Sequence, residues 1–344
     1  MAPARTVTRG GCGLVAGLCL AALAGSVIGT TLTGRTAVPG VVEPGTFARY
    51  GLAAARVLLD VSTLGTVGVS LLPVLLGSGR RKQTVPVLRS ALRAGMLASG
   101  GWVLGGLVSL VLQTAELRPD RMPTVGSIVD YVALFHSGQA LAISTAVALV
   151  HFGLTVVMVR CGHRGLTEPR IVLSVFGLLP LPVTGHASDV GLEWGGQSLG
   201  MVSMELHVMA AASWTGGLAA VGAFVVANRS LLAVTLPRFS WLATLCLAVV
   251  GVTGVVNALL TLYESPGANP VTALFTTYYG WILFGKIGCY GVLAALGGTI
   301  RLRMLPRIAS HQRVAALASW ISVEATIMGL AYGLAVVLVR TPMT

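Results

Sequence analysis

Of 344 residues, only 10% are charged and 55% are apolar, and the mean hydropathy is +0.84. A soluble domain carries about 25% charged residues, so this chain cannot coat a water-facing surface. Composition therefore excludes an ordinary soluble enzyme, a nucleic-acid-binding module and a disordered tail. The net charge of +12 is no phosphate-binding signal, because the arginines fall in short loops between apolar runs. The fold class is all-α, a polytopic integral membrane helix bundle. Cys12, Cys19, Cys161, Cys246 and Cys289 form no C-x-x-C pair, which argues against a disulfide framework or a zinc site.

Apolar runs of about 18 residues or more predict membrane helices. Nine follow in chain order: 11–33, 50–76, 90–113, 131–159, 170–187, 200–226, 240–262, 275–299 and 314–339. The first follows Arg5 and Arg9 and lacks a clear small-x-small cleavage site, so it is read as a retained helix. The fifth is short and interrupted by Pro180, Pro182 and Gly185. Residues 1–49 are thus an N-terminal helix and outer loop, and 50–344 a single membrane unit. With the N-terminus inside, every inner loop is rich in arginine, as the positive-inside rule requires. The acids Glu43, Glu116, Asp120, Asp130, Asp189, Glu193 and Glu264 then lie outside, as does the C-terminus. No P-loop, G-x-S-x-G or H-E-x-x-H motif is present, and no loop is long enough for a soluble domain. The expectation is of a protein that is not an enzyme and acts through its helices.

Polar side chains inside a bilayer are costly and so point to function. One set lies near the predicted outer face: His136 on the fourth span, His186 at the end of the fifth and His207 on the sixth. Met201, Met204 and His207, spaced i, i+3, i+6, share a helix stripe, with Glu205 beside it. Two thioethers and an imidazole suit copper better than zinc or magnesium. The competing reading is ordinary interhelical hydrogen bonding and packing. The deeper set holds Arg56 and Asp60, four apart, and Lys286 with Glu324 on neighbouring spans. Both are expected to be ion pairs, as helix glue or in proton or ion coupling. Asn257 is placed as an interhelical hydrogen-bonding or supporting residue, Trp214 as packing beneath His207, and His151 as structural. Cys161-Gly162-His163 is a weak candidate for an inner ligand pair, and His311 is expected in a solvated basic loop.

An ordered string of residues carries a family resemblance. Gly185-His186-Ala187 precedes a segment from Glu205-Leu206-His207 through Trp214-Thr215-Gly216-Gly217. Thr253-Gly254-Val255-Val256-Asn257, Tyr279-Gly280-Trp281 through Lys286, and Arg301-Leu302-Arg303 through Arg307 follow. Together they resemble the CopD/PcoD family of copper-resistance and copper-uptake membrane proteins, whose membrane unit YcnJ-type proteins share. The resemblance spans roughly 50–340 and implies an eight-helix unit in the cytoplasmic membrane that moves copper inward. The first helix is extra to that unit. It also implies a CopC-like extracytoplasmic copper-binding partner, here necessarily a separate protein, and His186 and His207 as the copper ligands. Met204, Met201 and His136 complete the expected metal set. Copper(I) is favoured by the thioethers, while imidazoles alone would also hold copper(II). A haem b-binding redox protein and a copper-delivery assembly factor that does not transport are the competing functions.

Overall fold

The computed structural model describes residues 9–32, 46–117, 122–162, 164–184, 193–194, 197–263, 269–304 and 313–338. Among these, the α-helices in chain order are α1 (Arg9–Leu32), α2 (Thr46–Leu76), α3 (Arg81–Leu117), α4 (Val125–Leu134), α5 (His136–Cys161), α6 (Thr167–Phe176), α7 (Leu199–Phe224), α8 (Arg229–Tyr263), α9 (Pro270–Thr276), α10 (Tyr278–Thr299) and α11 (Arg313–Leu338). Glu193–Trp194 and Gln197–Ser198 make a two-residue antiparallel hairpin leading into α7. Eight of the helices are long and apolar enough to cross a membrane. The chain is a polytopic all-α bundle.

The fifth predicted span is not one of these eight. Its apolar run folds as α6, a turn through Gly177–Pro180 and a 3-10 turn at Leu181–Thr184. It nevertheless crosses the bundle, because it runs antiparallel to α5 over most of that helix's length. Arg170 meets Thr155 and Met158, and further on the Gly177 carbonyl accepts from the Ser144 hydroxyl. Helix direction requires the same. Gly17 faces Thr326, Gly329 packs on Leu18, Gly333 on Ala22 and Gly29 on Val337, so α1 and α11 are parallel. Eight strictly alternating crossings would leave the first and last antiparallel. The broken segment supplies the extra traverse.

Small residues set the closest helix approaches. A Cβ at Gly329 would lie 2.3 Å from the Leu18 carbonyl oxygen, and one at Gly333 2.4 Å from that of Ala22. This Gly-x-x-x-Gly pair seats α1, the helix extra to the expected unit, directly on α11. A Cβ at Gly68 would lie 2.0 Å from the Gly216 carbonyl oxygen, so α2 and α7 cross backbone to backbone. These two are the most enclosed spans, whereas α8 and α10 turn most of their surface outward. Basic residues also tie neighbouring elements together. Arg238 donates to the Leu75 carbonyl at 3.2 Å, Arg80 to the Ser230 carbonyl and Arg301 to the Thr244 hydroxyl.

The fourth predicted span, 131–159, is divided. Phe135 is extended and separates α4 from α5. Tyr131 holds the break, with its hydroxyl donating to Gln113 Oε1 at 2.6 Å and lying 2.8 Å from Ser137 Oγ. His136 is consequently the first residue of α5 and exposed, rather than embedded in a helix.

Replacing Gly68 with leucine should force α2 from α7 and destabilise the protein by about 3 kcal/mol. Thermal unfolding in detergent checks this against Gly153→Ala, where an added methyl meets nothing within 4 Å. That control should match wild type.

Candidate functional site

The polar residues of α7 and α8 meet about 12 Å along α7 from its start. His207 Nδ1 lies 3.0 Å from Thr253 Oγ1. The Thr253 hydroxyl spends its only proton on its own helix, donating to the Val249 carbonyl at 2.6 Å. Towards the imidazole it can therefore only accept. His207 then carries its proton on Nδ1, and its Nε2 makes no side-chain hydrogen bond among the described residues. The ring also packs against Gly254, whose hypothetical Cβ would sit 3.5 Å from His207 Cε1. This is the arrangement by which proteins fix an imidazole as a metal ligand: one nitrogen tied to a hydrogen-bond acceptor, the other bare.

Around the ring the two helices are cross-linked by weaker polar contacts. Ser203 Oγ donates to the Thr253 carbonyl at 3.3 Å. Asn257 Nδ2 donates to Met204 Sδ at 3.7 Å, fixing the thioether one turn from His207. Ser203 and His207 are four apart on α7, and Thr253 and Asn257 four apart on α8, so each pair shares a helix face. The third helix is α10, tied to α8 by Tyr290 Oη donating to the Leu247 carbonyl at 3.0 Å. Lys286, four residues before Tyr290, shares the face of α10 that meets α8.

Of the residues singled out in the sequence, His207, Met204 and Asn257 are thus gathered at one place, and Lys286 lies on the face of α10 that meets α8. Met201 is half-buried in the first turn of α7 and Glu205 half-buried within it, while Trp214 is buried in the core further along. His186, His163 and His311 lie outside the described residues. His136 is exposed on α5, which packs on α3, α4 and α6 rather than on α7. His151 belongs to a different cluster, 3.1 Å from Ser70 Oγ. No described histidine therefore stands opposite His207 as a second axial ligand to a haem would. Among the described residues no three His, Cys, Asp or Glu side chains group as a metal site.

The two deeper pairs part company. Arg56 and Asp60 form their ion pair at 3.2 Å. Lys286 and Glu324 do not. The Glu324 carboxylate lies 3.9 Å from where Gly297 would bear a Cβ, and Lys286 is about 16 Å further back along α10 at 1.5 Å per residue. Antiparallel packing makes the spans neighbours but sets these charges at different depths. Sequence reasoning missed Thr253 and Ser203 as functional positions. Their only signal is a hydroxyl four residues from a residue already chosen.

Two family models match the chain: Copper resistance protein D-like, N-terminal domain, over residues 47–197, and Copper resistance protein D over residues 233–338. The chain belongs to the CopD family of copper resistance proteins. It is a multi-pass membrane protein of copper resistance or uptake. Thr253, Asn257 and Lys286 fall within the second CopD match and His186 within the first, whereas His207 and its methionines lie between them. No curated protein and no solved structure gives a significant match to the chain.

The hydrogen-bond geometry predicts a single neutral tautomer for His207, protonated at Nδ1. Nitrogen-15 NMR of histidine-labelled protein, assigned with a His207→Asn variant, checks it. Thr253→Val should weaken the preference while Thr253→Ser keeps it.

Proposed function

We propose that this CopD-family chain carries copper inward across the cytoplasmic membrane, from a site near the outer face where His207 and Met204 are ligands. The observation that supports it most is the Thr253-oriented imidazole, with its bare Nε2 one turn from a thioether held by Asn257. His186 is the proposed second imidazole, donated by the segment between the broken fifth crossing and α7. Met201, on the same stripe as Met204 and His207, is a further thioether, and His136 at the start of α5 lies outside this set.

Charge favours copper(I). The Lys286 ammonium lies on the α10 face that meets α8 beside this site, and its repulsion of a divalent ion is twice that of a monovalent one at equal distance. Soft thioethers select copper(I) as well. The positive-inside distribution of arginine orients the bundle with the His207 end outside, placing Asp130 and the other outer acids at the mouth, where they attract cations. The same outer face is the one a separate CopC-like donor would approach. Arg56–Asp60 is the proposed coupling pair, lying on α2 at the centre of the bundle.

Initial-rate uptake of copper(I) into proteoliposomes tests the reading. His207→Ala should lower the rate at least about tenfold, since even residues that only support a ligand are worth 10- to 100-fold. Unchanged uptake in His207→Ala, with the variant folded, would refute the reading, and copper binding without any uptake in wild type would point to a delivery factor. Lys286→Met should narrow the preference for copper(I) over copper(II) by roughly tenfold, ~1.4 kcal/mol of charge–charge energy. Competition with chromophoric chelators for each oxidation state measures it.

A further inference from the structure

A second polar cluster lies where α2, α3, α5 and α6 meet, away from His207. Its centre is Arg170 of α6, 1% exposed, with His151 of α5, 0% exposed. Arg170 Nε donates to Thr155 Oγ1 at 2.9 Å and Nη1 to Met158 Sδ at 3.9 Å. Both acceptors are neutral. Among the described residues no carboxylate reaches the guanidinium, and Glu168 on the same helix is exposed. Among the described residues, Arg170 Nη2 and His151 Nδ1 are both buried without a hydrogen-bond partner. Thr155 Oγ1, which accepts from Arg170 Nε, donates to the His151 carbonyl at 2.8 Å, so both groups meet on one stretch of α5.

The imidazole can be oriented from its neighbours. Ser70 Oγ lies 3.1 Å from His151 Nε2. The Ser70 hydroxyl makes no bond to its own helix among the hydrogen bonds described, so its proton is available to Nε2. Nδ1 then carries the hydrogen, and the cluster holds two unpartnered donors, Arg170 Nη2 and His151 Nδ1, facing no anionic acceptor. A buried arginine is always charged, and a buried ion without a counter-ion is strongly unfavourable. Its place in the first turn of α6 adds the positive end of a helix dipole, and the carboxyl-terminal turn of α5 opposes this with only a partial charge. A water molecule would satisfy the two donors but leave the charge uncompensated.

We infer that Arg170 and His151 bind a small monovalent anion of the halide class, which acts as the counter-ion fastening the broken fifth crossing to α2, α3 and α5. The inference is independent of the copper reading. Thermal unfolding of the full chain in detergent, in sodium chloride, bromide or gluconate at equal ionic strength and without copper, tests it. Chloride and bromide should raise Tm saturably by several degrees over gluconate, as a ligand of the native state does. Arg170→Met, which removes the charge and keeps the volume, should lose that dependence and not fall below wild type in gluconate. Bromide-edge X-ray absorption on wild type decides the matter even if the variant fails to fold. Stoichiometric bromide, displaced by chloride, is expected. Equal Tm in all three salts with no retained bromide would overturn the inference.

Discussion

Inside a bilayer a threonine on a helix gives its proton to the carbonyl one turn back, because no water is there to take it. Thr253 does so to Val249 and Thr155 to His151. Such a hydroxyl has only an acceptor left to offer a neighbouring helix. Whatever side chain meets it must donate, and the tautomer or orientation of that side chain is thereby set. His207 on Thr253 and Arg170 on Thr155 are two uses of this one device. In the first the consequence is a bare imidazole nitrogen ready for a metal. In the second it is a guanidinium aimed into the core with one of its arms unfilled.

The bundle is arranged so that these contacts are made between helices rather than within loops. The backbone crossing at Gly68 and Gly216 brings α2 against α7, and α7 in turn presents its opposite face to α8 and the Thr253 hydroxyl. The helical break at Gly177 lets one short apolar run cross the bundle and still deliver the chain to the start of α7 on the His207 side. The parallel docking of α1 on α11 seats a helix that lies outside both family matches on one that lies within the second.

The fold class was legible because length and hydropathy alone decide it: a long apolar run in lipid has helix as its only satisfactory state. The breaks were less so. Phe135 interrupts the fourth apolar run with no proline beside it; the Tyr131 hydroxyl bonds to Gln113 on another helix and to Ser137 across the break, and Gly138 lets α5 start against the Tyr131 carbonyl, where a Cβ would lie 2.5 Å away, a pattern the hydropathy of the run does not reveal. Stripe arguments found His207 and Met204, since spacing on one helix is a sequence property. They failed for Lys286 and Glu324, whose relative depth depends on where two helices are staggered. Thr253 escaped for a related reason: a hydroxyl in a membrane helix is common, and what distinguishes this one is the ring opposite.

The most direct test of the central claim is copper K-edge X-ray absorption of the reduced, copper-loaded protein, compared with its His207→Ala variant. The account predicts a mixed imidazole and thioether shell in wild type and loss of imidazole scattering in the variant. An identical spectrum in both, or a shell of oxygen donors alone, would contradict it.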